Sequence, residues 1–349
     1  MINRISEKEL IEFNRVFSLL LISRVPVINA LELISRQTKN VKLRELIKNI
    51  VVDLKAGNSL SKSFSKYPGI FSEIYIANLK VAEETGNVAE ILTEYTNYQE
   101  KFLNLKKKIL QAGRYPIFVL AVSFGVIFFM LFFLMPTFET LFRSVKAKLP
   151  PLTAFLLSLS TSLIENAFLF FFFFFIIIII IRYLLKTEYV KINIIDKFLI
   201  TAPYISNLFI KNLLARFSLS MAVLLKNGVG LLEALKISKN ISTNSVFKEE
   251  ITLVIKRIIK GESLLSNVEN SAFFDITFTR LLAAGEESAE LGNVFYLISE
   301  YYAKEFDYRL ENLTTLLEPM LILTVGLIVA VILIAMYLPM FEIINYVGV

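Results

Sequence analysis

The chain has 349 residues, of which 55% are hydrophobic and 19% charged, with a formal net charge of +6 and a mean hydropathy of +0.62. The charged fraction lies below the roughly 25% of soluble domains, which argues against a soluble globular protein and against a disordered one. Cysteine, histidine and tryptophan are absent, which excludes disulfides, cysteine–histidine zinc sites, haem ligation and catalysis by serine–histidine triads or cysteine nucleophiles.

The N-terminal segment, 1–15, is charged and has no early apolar core, so we expect no cleavable signal peptide. Helical periodicity follows, with Phe13 and Phe17 on one face, and Pro26 marks a turn between two helices. A second amphipathic stretch, 41–54, ends before Gly57, a common helix stop. Strand-like alternation is not sustained anywhere in the sequence, so we predict an all-α bundle.

The most distinctive polar motif of this first part is an acidic turn with the sequence AEETGN, which contains Glu83, Glu84 and Gly86. Adjacent carboxylates beside a small residue could ligate a divalent cation through oxygen, or could receive a basic surface of a partner protein. A third interpretation is placement at a helix N-terminus, where the macrodipole favours glutamate. Catalysis by paired carboxylates is disfavoured, because the sequence supplies no oriented acid or base partner.

Three apolar runs could cross a membrane. Residues 117–135 and 320–338 carry no charge over 19 positions, about 28 Å of helix against a hydrocarbon core of roughly 30 Å. The run 167–181 is shorter, and Arg182 and Lys186 can extend it by snorkelling. The alternative for each run is a buried core helix.

Two prolines flank each of the uncharged runs. Pro116 and Pro319 stand where these spans begin, and Pro136 and Pro339 where they end. A proline in the first helical turn costs little, because its missing N–H would be unpaired there anyway. We therefore interpret the four prolines as helix punctuation, with a bend required for subunit packing as the alternative. The loop after the first span contains LPPLT, and its flank to residue 163 is apolar and helical; it could lie on the membrane surface or join the second span.

The chain repeats itself at a spacing of about 204 residues, with a single one-residue gap. The repeat unit is a helical domain followed by a membrane span, and the middle span has no counterpart. The second acidic turn, GEESAE, contains Glu286 and Glu287. The matched pairs are Phe13 with Phe217, Gly57 with Gly261, Glu83 with Glu286, Glu84 with Glu287, Pro116 with Pro319, and Pro136 with Pro339.

Basic residues concentrate before the first span and after the second, with only three between them. The positive-inside rule then places both helical domains in the cytoplasm. The predicted organisation is a first cytoplasmic helical domain (1–114), a transmembrane helix (115–136), an external loop (137–165), a second transmembrane helix (166–186), a second cytoplasmic helical domain (187–317), a third transmembrane helix (318–341) and an external tail (342–349).

Taken together, these motifs resemble the inner-membrane platform family of type II secretion protein F and type IV pilus assembly proteins (GspF/PilC-like). The resemblance rests on the duplicated opening motif, the glycine stops, the acidic turns, and the paired spans with LPxxT between the first two. It covers about residues 10–345. Three positions depart from the pattern: Arg24 replaces a glycine that Gly228 keeps, Gly230 replaces the proline kept as Pro26, and Ala289 replaces a glycine kept as Gly86.

The resemblance implies two cytoplasmic six-helix bundles on three transmembrane helices, in an oligomer in the bacterial inner membrane. It also implies a platform that couples a cytoplasmic hexameric ATPase to assembly of pilin or pseudopilin subunits. The implied partners are that ATPase, the pilin, other inner-membrane assembly components, lipid and further copies of the chain. By motif position, the implied contact residues are Glu83, Glu84, Gly86, Glu286 and Glu287.

No enzymatic activity, cofactor or direct nucleic-acid binding is expected, and the Walker-type phosphate loop is absent from the sequence. The alternatives are a polytopic transporter subunit, a membrane enzyme and a passive membrane scaffold. A transporter would carry polar residues or broken helices at a midplane site, which the first and third spans lack. Protein secretion, surface pili and DNA uptake by a competence pseudopilus are all compatible with the motifs, and the composition and short length slightly favour a competence or pilus system.

Overall fold

A computed structural model of the protein describes residues 5–138, 140, 150–187, 195–203, 205–269 and 271–347. The chain forms two compact units. Unit 1 comprises Met1–Lys107 and Ile192–Asp307, and unit 2 comprises Lys108–Lys191 and Tyr308–Val349. Parts of the predicted external loop (137–165) and external tail (342–349) lie outside the described residues, as do the three basic residues of that loop.

Every regular element within the described ranges is a helix, so the all-α prediction is confirmed. The helices are α1 (Glu7–Ile22), α2 (Val27–Gln37), α3 (Val41–Lys55), α4 (Leu60–Ser65), α5 (Glu73–Thr85), α6 (Val88–Phe129), α7 (Pro151–Glu165), α8 (Ala167–Lys186), α9 (Lys197–Thr201), α10 (Ile205–Lys226), α11 (Leu231–Ser238), α12 (Ser245–Ile259), α13 (Leu264–Glu269), α14 (Ile276–Glu287) and α15 (Leu291–Val347). A π-helical stretch, Met130–Leu134, continues α6.

Unit 1 contains the two repeats as two helical bundles. Helices α1–α5 and the first part of α6 form the first bundle, and α10–α14 and the first part of α15 form the second. Side-chain caps start several of these helices: Ser6 and Glu9 form a capping box on α1, and Asn40 and Asn244 cap the repeat-equivalent helices α3 and α12. The same kind of capping residue therefore starts the same helix in both repeats.

Each bundle has an aromatic core. In the first, the rings of Phe64 and Phe71 meet edge to face at 4.7 Å between centroids, and in the second Phe274 lies 4.5 Å from Phe278. Such ring pairs contribute about 0.5–1.5 kcal/mol beyond the area they bury. The other core rings include Phe13, Phe17, Tyr75, Phe217, Phe247 and Phe295, all of them buried.

The predicted glycine stops are confirmed. Gly57 follows the end of α3 with φ of 86°, and Gly261 follows the end of α12 with φ of 94°. A left-handed residue after a helix lets the last carbonyls find N–H partners, and glycine adopts it without a Cβ clash.

The proline interpretation is wrong. Pro116 lies inside α6, Pro319 and Pro339 lie inside α15, and Pro136 lies in the helical turns that continue α6 to residue 138. Each proline removes one backbone N–H, but a helix among apolar neighbours can continue where local adjustments satisfy the freed carbonyl. The helices therefore run from the bundles into the apolar segments without a break.

Unit 2 holds the apolar parts of α6 and α15 together with α7 and α8. The Tyr115 hydroxyl donates to the Glu318 carboxylate at 2.9 Å, and these two residues are repeat equivalents. The two helices therefore lie side by side in register. Residues of α7, of α15 and of the helical turns that continue α6 share one apolar cluster: Met130, Leu131, Met135, Leu156, Leu157, Ile332, Ala335 and Met336.

Helix α7 crosses both of these helices. The Thr153 hydroxyl donates to the Ala335 carbonyl, and the Ser160 hydroxyl donates to the Leu131 carbonyl. The two donors, Thr153 and Ser160, are seven residues apart, which corresponds to about 10 Å along α7. This separation is close to the 8–10 Å between the axes of two packed helices. Since Ala335 is the repeat equivalent of Phe132, both acceptors lie at nearly the same level. The apolar flank of LPPLT therefore packs across the ends of the two apolar segments.

Among the described residues, three helical stretches are long and apolar enough to cross a membrane: Val88–Phe138, Ile205–Lys226 and Leu291–Pro339. The most apolar windows of the first and third are only 11% and 17% buried, whereas that of Ile205–Lys226 is 61% buried, because α10 packs into the second bundle. The predicted middle span, 166–186, coincides with α8, where Phe168 and Phe173 are exposed. Its crossing of the membrane stays a prediction.

Candidate functional site

The first acidic turn is tied to a neighbouring helix. Glu83 lies in the last turn of α5, and its carboxylate accepts the backbone N–H groups of Leu60 and Ser61, the latter at 3.0 Å, and the Ser61 hydroxyl at 2.5 Å. Leu60 and Ser61 are the first residues of α4. Glu83 therefore caps α4, at the helix end where the macrodipole favours a negative charge.

The second acidic turn repeats this arrangement. Glu286, near the end of α14, accepts the backbone N–H of Leu265 at 3.1 Å, in the first turn of α13. The interpretation of the acidic turns as helix N-termini is wrong for their own helices, since both lie at C-terminal ends. The favourable helix end belongs to a different helix, which the chain brings close.

Glu84 and Glu287 are exposed next to these caps. Both stand in the last turn of their own helix, where the macrodipole disfavours a carboxylate. Neither accepts a hydrogen bond from any described residue, and no group of three acidic side chains that could hold a metal ion forms in the described ranges. The geometry therefore divides each acidic pair into one capping carboxylate and one carboxylate that faces solvent.

We expect Glu83→Ala to destabilise the first bundle by about 1–2 kcal/mol, because it leaves the α4 N–H groups without their acceptor. Glu84→Ala, one residue away, is the matched control and should change stability by less than about 0.5 kcal/mol. Thermal unfolding of the detergent-solubilised chain measures both. Equal effects of the two substitutions would contradict the capping role.

Two positions that depart from the glycine pattern keep the glycine conformation. Arg24 has φ of 61° where its counterpart Gly228 has 87°, and Ala289 has φ of 56° where Gly86 has 74°. An L-residue in this left-handed region is strained by roughly 1 kcal/mol. The duplicated turns therefore retain their backbone even where the side chain opposes it.

We expect Ala289→Gly to raise stability, because the strain removed exceeds the backbone entropy that glycine adds to the unfolded chain. The predicted gain is at most about 1 kcal/mol, and Gly86→Ala should cost about 1 kcal/mol. Melting temperatures of the two variants should move in opposite directions. Movement in the same direction would show that the left-handed turn does not set their stability.

A polar contact joins the two bundles inside unit 1. The amide of Asn227 donates to the Asn78 side-chain oxygen at 2.5 Å, and both residues are buried. Lys101 bonds the Tyr296 hydroxyl at 2.6 Å and the Glu300 carboxylate at 2.5 Å. Sequence analysis missed this contact, since no local pattern marks a pair of residues 149 positions apart.

Charged side chains surround a cavity of about 490 Å³ at this contact. The ammonium groups of Lys101 and Lys226 lie 4.4 and 4.6 Å from the centroid of the Tyr296 ring. Burial raises the pKa of the Glu94 carboxyl, which Lys226 opposes. Arg216, whose pKa burial lowers, lies 4.2 Å above the Phe102 ring. The charged residues beside the apolar helix α10 are visible in the sequence, but nothing in the sequence indicates that they lie together at this cavity.

Comparison with known proteins agrees with the duplication. A family model described as type II secretion system protein F matches residues 13–136 and again 217–339. The chain is 31% identical over 339 residues to the type IV pilus assembly protein PilC of Thermus thermophilus, covering 97% of this chain and 83% of that protein.

Two further relatives come from Pseudomonas aeruginosa. The type IV pilus assembly protein PilC is 29% identical over 336 residues, covering 96% of this chain and 90% of that protein. The type II secretion system protein F is 25% identical over 344 residues, covering 99% of this chain and 85% of that protein. Both repeats and nearly the whole chain are thus accounted for, and the chain belongs to the type II secretion system protein F family.

Proposed function

We propose that this chain is an inner-membrane platform protein of a pilus or secretion machine, coupling a cytoplasmic hexameric ATPase to assembly of pilin or pseudopilin subunits. The family match and the names of its relatives support a role in pilus assembly or secretion. The apolar helices and the family support an inner-membrane location.

The observation that carries the coupling proposal is the continuity of two helices. Helix α6 buries Ile91, Leu92 and Tyr95 in the first bundle and then continues into the exposed apolar residues from Ile117 onward. Helix α15 does the same from Phe295. A continuous helix is stiff, so a displacement of the bundle moves the apolar segment with it. A flexible linker at this point would not transmit such a displacement.

The same continuity supports the predicted orientation. Both bundles lie in one compact unit and stand at the N-terminal ends of α6 and α15. If they share one side of the membrane, both spans run in the same direction and the chain crosses back once between them. Helix α8 is a segment available for that crossing. Basic residues such as Lys106 and Arg114 before the first span favour the cytoplasm for the bundles and the exterior for the C-terminus.

Glu84 and Glu287 are the proposed ATPase contacts, together with the turn residue Gly86 that presents the first of them. Their carboxylates face solvent without a hydrogen-bond partner among the described residues, whereas Glu83 and Glu286 are occupied as caps. The two turns are repeat equivalents, so one kind of basic surface could bind both.

We expect the double variant Glu84→Lys/Glu287→Lys to bind the cognate ATPase about ten-fold more weakly, because like charges then face each other. The matched control is Glu45→Lys/Glu249→Lys, an exposed repeat-equivalent pair on α3 and α12 with the same change in net charge. Binding of the purified ATPase to the chain in nanodiscs measures both. Equal binding by the two double variants would remove the acidic turns from the interface.

The rate at which the bound ATPase hydrolyses ATP distinguishes a coupled platform from a passive scaffold. A coupled platform changes the ATP hydrolysis rate of the bound ATPase, whereas a scaffold binds it without effect. The same nanodisc preparation gives this rate, so loss of binding and loss of coupling are distinguishable.

A further inference from the structure

The contact between the two bundles is heterologous: each bundle uses a different surface. The first bundle contributes what we term the α6 face, formed by Asn78 and Val81 at the end of α5 and by Glu94 and Tyr98 of α6. The second contributes the α10 face, formed by Val223, Lys226, Asn227 and Gly228. Because the bundles are repeats, each also carries the counterpart of the surface that the other uses.

The repeat alignment identifies these counterparts. Shifting the α6 face by 203 residues gives Leu281 and Ala284 of α14 and Leu297 and Tyr301 of α15 on the second bundle. We term these four residues the α15 face. Shifting the α10 face by 204 residues gives Leu19, Ile22, Ser23 and Arg24 on the first bundle, which we term the α1 face. Within unit 1 as described, these two faces do not pack on each other.

At two positions of the contact, the two uncovered faces complement each other as the covered faces do. Glu94 and Lys226, of opposite charge, line the same cavity inside the chain. Their counterparts are Leu297 and Ile22, an apolar pair, which are 57% and 56% exposed. The position that holds a pair of opposite charges in the contact inside the chain therefore holds a pair of apolar residues on the two uncovered faces.

A second position changes in size on both faces. Inside the chain, a Cβ built on Gly228 would lie 3.7 Å from the Val81 side chain, so a small residue faces a larger one. On the uncovered faces the larger residue is Arg24 and the smaller is Ala284. The face that carries the small residue inside the chain carries the large one on the uncovered faces, and the reverse holds for the other face. Such a compensating change in side-chain size is expected if the two uncovered faces pack together.

Apolar exposure adds to this pattern. Leu19, the counterpart of the buried Val223, is 55% exposed, and Tyr301, the counterpart of the buried Tyr98, is also exposed. Covering such side chains is favourable by about 25 cal/mol per Å² of apolar area. Two positions do not follow: the Asn78–Asn227 hydrogen bond becomes Leu281 and Ser23, and the Arg216–Phe102 contact becomes Glu12, which is exposed, and Glu305, which is half-buried.

We propose that the α15 face of one copy of the chain packs on the α1 face of the next copy, repeating the contact between the bundles within each chain. A heterologous contact of this kind joins copies head to tail and closes into a ring when the rotation between copies permits. The occupant of both exposed faces is therefore a second copy of this chain.

Cross-linking in native membranes tests the proposal directly, since the chain contains no cysteine. Ile22→Cys and Leu297→Cys are placed on separate, differently tagged copies and treated with a short bismaleimide. We expect a mixed dimer carrying both tags and little dimer from either variant alone. Copies with Val52→Cys and Leu253→Cys, exposed on α3 and α12, are the control. Dimers of one variant with itself, or yields equal to the control, would overturn the proposal.

A charge exchange provides an independent test on the full chain in detergent. Leu297→Glu places a carboxylate against Ile22 and should weaken association about ten-fold. Adding Ile22→Lys recreates the charged pair found inside the chain and should restore association. Leu253→Glu should leave the oligomer mass unchanged. Association that is the same for Leu297→Glu and wild type, or no recovery in the double variant, would contradict the head-to-tail contact.

Discussion

Replacing residues 109–112 of α6 by four glycines is expected to abolish pilus or pseudopilus assembly while leaving membrane insertion and ATPase binding intact. These residues, Ile109, Leu110, Gln111 and Ala112, join the bundle part of α6 to its apolar part. Four glycines cost about 4 kcal/mol of helix stability relative to four alanines, so the stiff connection becomes a flexible one. Assembled pilin or secreted substrate should fall at least about ten-fold, since a bundle displacement no longer moves the span.

The matched control replaces the same four residues by alanines, which keeps the helix, the length and the register. Both variants lose the same side chains, so any difference between them arises from helix continuity. Assembly scored in a deletion strain complemented by each variant gives the comparison. Equal assembly with glycines and with alanines would show that the protein acts as a scaffold without mechanical coupling.

Asp275→Asn is expected to lower the stability of the second bundle by about 2 kcal/mol. The Asp275 carboxylate caps α14 through the Thr277 and Phe278 N–H groups at 3.1 Å, pairs with Lys211 at 2.5 Å and accepts the Tyr302 hydroxyl. The Lys211 side chain is only 12% exposed, so losing its partner leaves a mostly buried charge unpaired. Breaking a fully buried pair costs 3–5 kcal/mol, and partial exposure of Asp275 reduces this figure to about 2 kcal/mol.

The control for this loss is Asp53→Asn, which removes an ion pair to Lys66 at 2.6 Å on the surface of the first bundle. Because Lys66 is well exposed, we expect a loss below about 1 kcal/mol. Thermal unfolding of the solubilised chain measures both variants. A loss at Asp275 no larger than that at Asp53 would contradict the structural role of this ion pair.

The pH dependence provides a separate check. Burial raises the pKa of Asp275, but hydrogen bonds from Lys211, Tyr302 and the Phe278 N–H together outweigh it, so the pKa lies below its ordinary value. A carboxyl with a lowered pKa contributes stability that is present above its unfolded pKa and is lost as pH falls through the folded pKa. The stability difference between wild type and Asp275→Asn should therefore shrink below about pH 4. A pH-independent difference would contradict this assignment.

The duplicated fold could be predicted because its signals are local and occur twice. Phe13 and Phe217 mark the same core position, and Gly57 and Gly261 end the same helix with positive φ. Hydropathy predicted the two uncharged spans for the same reason. Hydropathy also admits α10 as a candidate span, although 61% of its most apolar window is buried within the protein.

The remaining features depend on contacts between distant residues. Pro116 suggests a helix end by its local chemistry, but α6 continues through it, because local adjustments can satisfy the carbonyl that loses its N–H partner. The acidic turn could be recognised as special, yet its division into the capping Glu83 and the exposed Glu84 depends on where α4 lies. The Asn78–Asn227 contact between bundles has no local signature at all.

The most direct test of the central claim, that this chain is an assembly platform, is an in-frame deletion of its gene with complementation. Surface pili, protein secretion and DNA uptake, the last as transformation frequency, are scored in the same strain. We expect loss of at least one of these activities and its recovery with the complementing copy, and the activity lost identifies the machine. If all three remain at wild-type levels in the deletion strain, the platform function is contradicted.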